Sequence, residues 1–137
     1  MAYFNKIGLL LLNSDHSKFL VCEKDNKALD IIMPGADAIT GEDDIGCLER
    51  EIEEELGIEM DIASLKFIKK YIDVAAGDPT KDVSMMLYEG KVIGEPKTSA
   101  KIRRFYWIGK DDLTNERLSP IIKNKILPDV IEREILK

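Results

Sequence analysis

Three glutamates, Glu51, Glu54 and Glu55, follow one another at spacings of three and one in a segment with helical apolar spacing. On a helix that turns about 100° per residue, their side chains fall within an arc of about 100°. Divalent cations such as Mg²⁺ and Mn²⁺ prefer oxygen ligands of this kind. The spacing therefore predicts a carboxylate cluster that could hold a divalent cation.

The segment around these glutamates is more acidic than the rest of the chain. From residue 42 to residue 55, eight acids accompany a single base, Arg50, which gives a local charge of −7, whereas the whole chain carries −6. Like charges three or four residues apart on a helix repel by roughly 0.2–0.5 kcal/mol per pair. A solvated helix face is the alternative interpretation, but it predicts alternating lysines, and this helix has none. We therefore expect a bound cation to offset the repulsion.

The helix that would position the carboxylates is predicted from its apolar stripe and its ends. Four aliphatic residues recur at spacings of three and four, namely Ile45, Leu48, Ile52 and Leu56. Asp43 is expected to cap the N-terminus and Gly57 to follow the C-terminus.

Strands are predicted on both sides of this helix. They cover residues 3–15, 17–25, 29–33, 64–76, 82–94 and 102–109. A turn around residues 14–17 joins the first two, a loop runs through Pro34, Gly35 and Gly41, and 77–82 is expected to be a turn. A short helix is predicted at 111–119 and a longer one at 120–137, with a break or a restart at Pro128. The fold class is α+β or mixed α/β, in a single domain over residues 1–137.

Several classes of function are disfavoured by composition. The only histidine, His16, lies in a predicted turn, which nearly excludes a histidine-based triad or zinc site. Cys22 and Cys47 lack metal or redox spacing, so we expect reduced thiols in a cytoplasmic protein. The apolar run at 7–12 is too short to span a membrane. The net charge of −6 and the lack of a basic stripe disfavour binding to a nucleic acid polymer.

The segment from residue 36 to residue 58 resembles the Nudix box. That box is a glycine, five residues, a glutamate, seven residues, and then Arg-Glu-aliphatic-any-Glu-Glu-any-Gly-aliphatic. Here Glu42 is followed by seven residues and then by "REIEEELGI" at 50–58, so every position from Glu42 onward fits. In this resemblance Glu42 fixes the loop or acts as an outer ligand.

The resemblance to Nudix hydrolases implies an α/β/α sandwich with a mixed central sheet and one catalytic helix. It implies hydrolysis, dependent on Mg²⁺ or Mn²⁺, of a nucleoside diphosphate linked to another group. Glu54 and Glu55 would be the principal metal ligands, and Glu51 a ligand or the base that activates water. Arg50 would orient the carboxylates, and the backbone carbonyl of Ala36 would be a further ligand. The catalytic set is therefore Glu51, Arg50 and Glu54.

Two positions depart from the family pattern. Ala36 replaces the opening glycine of the box, which only requires a local backbone conformation that accepts a Cβ. Lys101 stands where many relatives carry a further glutamate. The general base would then be Glu51 alone, or Glu89 or Glu95. Lys101 itself would be either a surface lysine or a contact to a substrate phosphate.

The substrate is left open by the sequence. Lys101, Arg103 and Arg104, with Lys97, could contact phosphates, although a half-solvated strand explains them equally well. The short chain favours a nucleoside triphosphate pyrophosphatase. The alternatives are a nucleotide-sugar or dinucleoside-polyphosphate hydrolase, or a non-catalytic nucleotide-binding or sensing module. The expected partner is a nucleotide-type small molecule, with no membrane involved, and the chain would be a monomer or a homodimer.

Overall fold

Two sheets and two main helices form the part of the chain that the computed structural model describes, residues 2–24 and 31–137. In chain order the elements are β1 (Phe4–Leu10), β2 (Phe19–Lys24), β3 (Gly35–Asp37), α1 (Asp44–Leu56), β4 (Glu59–Ala75), β5 (Asp78–Ile93), β6 (Ile102–Ile108), a 3₁₀ turn (Lys110–Asp112), a π-helical segment (Ile122–Ile126) and α2 (Leu127–Glu132).

The larger sheet is mixed, as predicted. Its strand order is β3-β1-β5-β4, with β1 parallel to β5 and the other two pairings antiparallel. The smaller sheet pairs β2 with β6 in an antiparallel ladder. The turn predicted at 14–17 brings Leu12 and Phe19 into a single bridge only, because β2 takes β6 as its partner.

Alternate side chains of β1 and β2 pack into two separate hydrophobic cores. Ile7, Leu9 and Leu20 pack in a cluster with the apolar stripe of α1. Leu10 and Phe19 pack in a second cluster with the C-terminal helical segments. Successive strand residues point to opposite faces, so the sheets form a layer between the two helical regions. This is the predicted three-layer arrangement.

Helix α1 has the predicted ends. The Asp43 carboxylate accepts a hydrogen bond of 2.7 Å from the Gly46 N–H, so Asp43 is the N-cap. Gly57 ends the helix in the left-handed region at φ 63°, and its N–H donates to the carbonyl of Glu53. A Cβ is disfavoured in that conformation, which explains the glycine.

Two segments after β2 differ from the prediction. Residues 35–37 form β3 rather than a loop, because Gly35 lacks a Cβ and can approach β1 closely; a Cβ there would overlap the carbonyl oxygen of Ile7. The strand predicted at 29–33 is represented by single bridges at Ile31 and Ile32. Its residues 29 and 30, and residue 25 of the preceding predicted strand, lie outside the described part of the chain.

The hairpin of β4 and β5 is longer than predicted. Its turn is confined to Ala76 and Gly77, and residues 78–82, predicted as a turn, belong to β5. At its other end, β4 begins at Glu59, immediately after α1. Three register shifts interrupt the pairing and break the alternation of buried and exposed residues along β4. The first residues of β4 therefore lack the alternating sequence pattern by which a strand is predicted.

The C-terminal region also differs from the prediction. In place of a helix at 111–119 there is a 3₁₀ turn at Lys110–Asp112 followed by irregular turns. Pro128 is the second residue of α2, which begins at Leu127 directly after a π-helical segment, so of the two predicted alternatives the structure has a restart. A proline ring collides with the carbonyl four residues earlier in a regular α-helix, and the wider turn relieves that collision. None of the described helices has the length and apolar character needed to cross a membrane.

Candidate active site

Helix α1 carries the three predicted ligands in different environments. Its buried side, with Leu48, Ile52 and Leu56, faces the core. Beside that face the Glu55 side chain is only 1% exposed, the Glu51 side chain is 23% exposed and the Glu54 side chain is 47% exposed. The three carboxylates therefore lie on a gradient from the protein interior to the solvent.

Glu55 is a buried carboxylate with distant partners. The Gly35 N–H donates to its Oε1 at 3.3 Å, and the Lys24 ammonium lies 3.6 Å from its Oε2. Burial raises the pKa of Glu55, and the positive charge of Lys24 only partly opposes this. Charge-assisted hydrogen bonds are usually about 2.7–2.9 Å long, so the two donors compensate the ionised form incompletely.

Lys101 joins the other two glutamates. Its Nζ lies 2.6 Å from Glu54 Oε2 and 3.3 Å from Glu51 Oε2. The hydrogen bond from Lys101 lowers the pKa of Glu54, and the two carboxylates together raise the pKa of Lys101. Lys101 immediately precedes β6, so the contact connects that strand to α1.

Arg50 connects the helix to the loop before it. Its Nη2 lies 3.4 Å from Glu42 Oε1, and both side chains are partly exposed. The predicted function of Glu42 in fixing the loop is consistent with this ion pair. Ala36 has a buried side chain in β3, and the described non-glycine residues with positive φ are His16 and Glu134 alone. Alanine therefore takes the place of the usual glycine without backbone strain.

A cavity of about 720 Å³ opens beside these residues. One group of its lining residues is charged: Lys6, Lys24, Asp37, Arg50, Glu51, Glu55 and Lys101. Most of the others are apolar, among them Phe4, Ile32, Met33, Ala75, Val83, Met85 and Ile121. The buried Ser119 also lines the cavity, and its hydroxyl has no hydrogen-bond partner among the described residues. The cavity thus offers both charged groups and an apolar surface.

Arg103 and Arg104 are not among the described residues that line this cavity. The Arg103 guanidinium donates to Glu23 Oε1 at 2.6 Å, and the Arg117 guanidinium reaches the same oxygen at the same distance. Arg104 is paired in register with Glu23 across β2 and β6. Lys97, also considered for phosphate binding, donates its backbone N–H to the carbonyl of Leu56.

The two alternative bases lie elsewhere. Glu89 and Glu95 line a second depression, together with Asn13, Ser64 and Trp107. Neither is a lining residue of the cavity beside α1. Glu51 is thus the candidate base that the fold brings to that cavity.

The donor chemistry of the site fits a divalent cation. Among residues 2–24 and 31–137, no three acidic, histidine or cysteine side chains already converge to hold a metal ion. However, Glu55 is a desolvated carboxylate with distant donors, and Glu51 and Glu54 already hold a cation, the Lys101 ammonium. Oxygen ligands of this kind suit Mg²⁺ or Mn²⁺.

Three residues at the site were missed at the level of sequence. For Lys24 the sequence offered only strand alternation, which places it on the same face as Cys22; only the fold shows that this face is turned towards α1. Gly35 was assigned to a loop, although its N–H meets Glu55. Ser119 carried no sequence signal, since only the fold places it on the cavity wall.

Comparison with known structures identifies the same fold. A MutT protein from Methanosarcina mazei Go1 is 20% identical, with 99% of this chain and 97% of that chain covered and a TM-score of 0.71. A MutT NUDIX hydrolase from Burkholderia pseudomallei is 19% identical, with coverages of 94% and 95% and a TM-score of 0.69. A MutT structure described for Aliivibrio salmonicida and Vibrio cholerae is 18% identical, with coverages of 98% and 96% and a TM-score of 0.64.

The family model for the NUDIX domain matches residues 3–130. A comparison with curated proteins finds no match. The family match spans nearly the whole chain and includes the glutamate helix, the cavity beside it and both sheets. The chain therefore belongs to the Nudix family and is a hydrolase that acts on phosphorus-containing anhydrides, the pyrophosphate bonds of nucleoside diphosphate derivatives.

Proposed function

We propose that the chain is a nucleoside triphosphate pyrophosphatase that depends on Mg²⁺ or Mn²⁺. The observation that carries this proposal is the cavity beside α1, which combines charged groups with an apolar surface. A nucleotide has the matching two-part chemistry, a polyanionic phosphate chain and a flat, weakly polar base. The phosphates would lie at the charged residues and the base against the apolar ones.

The metal ligands in this proposal are Glu51, Glu54, Glu55 and the backbone carbonyl of Ala36. A bound divalent metal would neutralise the phosphate chain and polarise the phosphorus centre. Burial of Glu55 supports its assignment, because a desolvated carboxylate gains most from a cation. Glu51 and Glu55 both line the cavity, with Ala36 beside them.

Glu51 is the proposed general base. Its carboxylate is partly exposed and lines the cavity, so it can accept a proton from an attacking water at Oε1 or Oε2. Arg50 is the proposed positioning residue, since its ion pair with Glu42 connects the middle of α1 to the preceding loop. Lys24 and Lys101 line the same cavity and add positive charge beside the proposed metal ligands.

The size of the cavity supports a substrate with one nucleoside. Small-molecule sites usually measure about 300–1,000 Å³, and a cavity of about 720 Å³ is within that range. The unpaired Ser119 hydroxyl could form a hydrogen bond to the base.

The test is an assay that measures the phosphate-containing products released from nucleoside triphosphates, nucleotide sugars and dinucleoside polyphosphates. Each substrate is assayed with Mg²⁺ and with Mn²⁺. We expect the highest kcat/KM on a nucleoside triphosphate, with a nucleoside monophosphate and pyrophosphate as the products. A higher kcat/KM on a nucleotide sugar or a dinucleoside polyphosphate would contradict the substrate assignment. Tight nucleotide binding without turnover of any substrate would favour a sensing module instead.

A further inference from the structure

The repulsion between glutamates of α1 is offset by lysines from other parts of the chain. Lys24 of β2 lies beside Glu55, and Lys101 before β6 lies between Glu51 and Glu54. Within the helix there is no lysine to do this. The protein therefore supplies two ammonium groups at the place where the proposed function requires a metal.

Of the two lysines, Lys101 makes the stronger contacts. Its ammonium reaches two carboxylates, at 2.6 and 3.3 Å, whereas Lys24 approaches one carboxylate at 3.6 Å. The oxygens that hold the Lys101 ammonium belong to two of the three proposed metal ligands. An ammonium group and a divalent cation cannot both occupy the space between the same two oxygens, and their charges repel each other.

Lys101 is also free to move away. Its side chain is 49% exposed, and that of Glu54 is 47% exposed, so water can solvate both groups when they separate. Exposed ion pairs contribute little to stability, because water competes for both charges. Displacing Lys101 is therefore an accessible step for this site.

We propose that the Lys101 ammonium group occupies the cation position between Glu51 and Glu54 in the metal-free protein, and that a divalent metal binds there by displacing it. This inference rests on the proposed metal dependence of the site. Lys101 is then a positioning residue, since it holds two carboxylates in place before the metal arrives. It also weakens metal affinity, because each binding event must break both ion pairs.

Calorimetric titration with Mg²⁺ and Mn²⁺ tests the displacement, using the full chain and the variant Lys101→Met. Methionine keeps most of the length of the side chain and removes its charge. We expect Lys101→Met to bind the metal more tightly by roughly fivefold, the factor for an exposed charge pair. Without metal, its melting temperature should fall, because the repulsion between Glu51 and Glu54 is no longer offset.

Lys97→Met is the matched control. Lys97 lies on the same connection before β6 and has the same charge, but its backbone rather than its ammonium contacts α1, through the Leu56 carbonyl. Its metal affinity should change by less than about twofold, as expected for a screened surface charge. An equal gain in both variants would overturn the proposal, because net charge alone would then explain it.

A readout on the unmodified protein complements the variants. The ¹⁵N-labelled ammonium of Lys101 should show a distinct NMR signal without metal and shift towards that of a free lysine as Mg²⁺ is added. Tight metal binding with this signal unmoved, or with the affinity of Lys101→Met unchanged or weaker, would overturn the lysine proposal while leaving the metal-dependent function intact. Failure of both proteins to bind any metal would overturn both.

Discussion

Glu54 and Glu55 are adjacent in sequence, yet water reaches one side chain and hardly reaches the other. The Glu54 carboxylate is half exposed and pairs with Lys101 at 2.6 Å. The Glu55 carboxylate is buried, and its donors lie 3.3 and 3.6 Å away. Accordingly the pKa of Glu54 is lowered by Lys101, whereas burial raises the pKa of Glu55. The two residues should therefore respond differently to loss of charge.

This difference predicts opposite effects on metal-free stability. In EDTA at pH 7, Glu55→Gln should raise the free energy of unfolding, because it removes a desolvated charge. Glu54→Gln should change the stability little or lower it slightly, because it removes a half-exposed ion pair. Urea denaturation of both variants and the parent measures the effect.

The stability difference between Glu55→Gln and the parent should depend on pH in a definite direction. A carboxylate with a raised pKa in the folded state opposes folding when ionised, and this cost disappears as the pH falls through that pKa. The advantage of Gln over Glu at position 55 should therefore shrink on acidification. A Glu55→Gln variant that is much less stable than the parent at pH 7 would mean that the ionised Glu55 stabilises the fold.

At the scale of elements, helix α1 depends on its two caps. Asp43→Ala removes the hydrogen bond to the Gly46 N–H and should lower the free energy of unfolding by about 1 kcal/mol. Gly57→Ala places a Cβ at φ 63° and should also lower it by about 1 kcal/mol. Urea denaturation in EDTA measures both effects separately from metal binding.

Gly57→Asn is the informative control at the C-terminus. Asparagine tolerates the left-handed conformation better than alanine does. It should therefore retain much of the stability that alanine loses. Equal losses for alanine and asparagine would show that backbone conformation is not the reason for the glycine.

Helix α1 was predictable from sequence because its signals are local. The apolar spacing, Asp43 and Gly57 all lie within the segment that they define. The C-terminal region was predictable only in part, because Pro128 indicates a break or a restart of the helix, whereas the π-helical segment before it has no local sequence signal. Strand β3 was missed for a tertiary reason, since Gly35 matters through its approach to β1.

At the scale of the molecule, a buried carboxylate connects distant parts of the chain. Glu23 of β2, which is 1% exposed, accepts hydrogen bonds from Arg103 at the start of β6 and from Arg117 before the C-terminal helix. The Tyr106 hydroxyl reaches its second oxygen at 3.3 Å. Ser119, two residues after Arg117, lines the cavity. We interpret Glu23 as the residue that fixes this cavity wall.

Glu23→Gln should therefore lower the melting temperature by several degrees at pH 7. The hydrogen bond from Arg103, with Arg117, holds the pKa of Glu23 below its ordinary value of 4.5. A lowered pKa stabilises the fold above about pH 4.5, and the stabilisation is lost as the pH falls through the folded-state pKa. The difference between variant and parent should thus be largest near neutral pH and should shrink in acid.

Glu116→Gln is the control for this network. Glu116 pairs with Lys123 at 2.7 Å, but its side chain is 87% exposed. Its loss should barely change the melting temperature at any pH. If Glu23→Gln and Glu116→Gln behave alike, burial does not make the Glu23 network important.

The candidate site was predictable only in part. The sequence placed the glutamates on one helix face and suggested a cation beside them, since helix periodicity needs no tertiary information. It could not show that the protein supplies ammonium groups there, because Lys24 and Lys101 come from elements far apart in sequence. It also proposed Arg103 for the substrate, whereas Arg103 contacts the buried Glu23. The choice among possible partners of a charged residue depends on the fold.

The most direct test of the central claim is turnover of the best substrate by metal-stripped protein, with and without added Mg²⁺ or Mn²⁺. We expect no activity in EDTA and full recovery on adding metal. With metal, Glu54→Gln and Glu55→Gln should each lower kcat/KM by about 100-fold or more. Glu53→Gln, an exposed glutamate outside the arc of ligands on the same helix, should stay near the parent. Full turnover by the metal-stripped protein, or by both ligand variants, would contradict a metal site at α1.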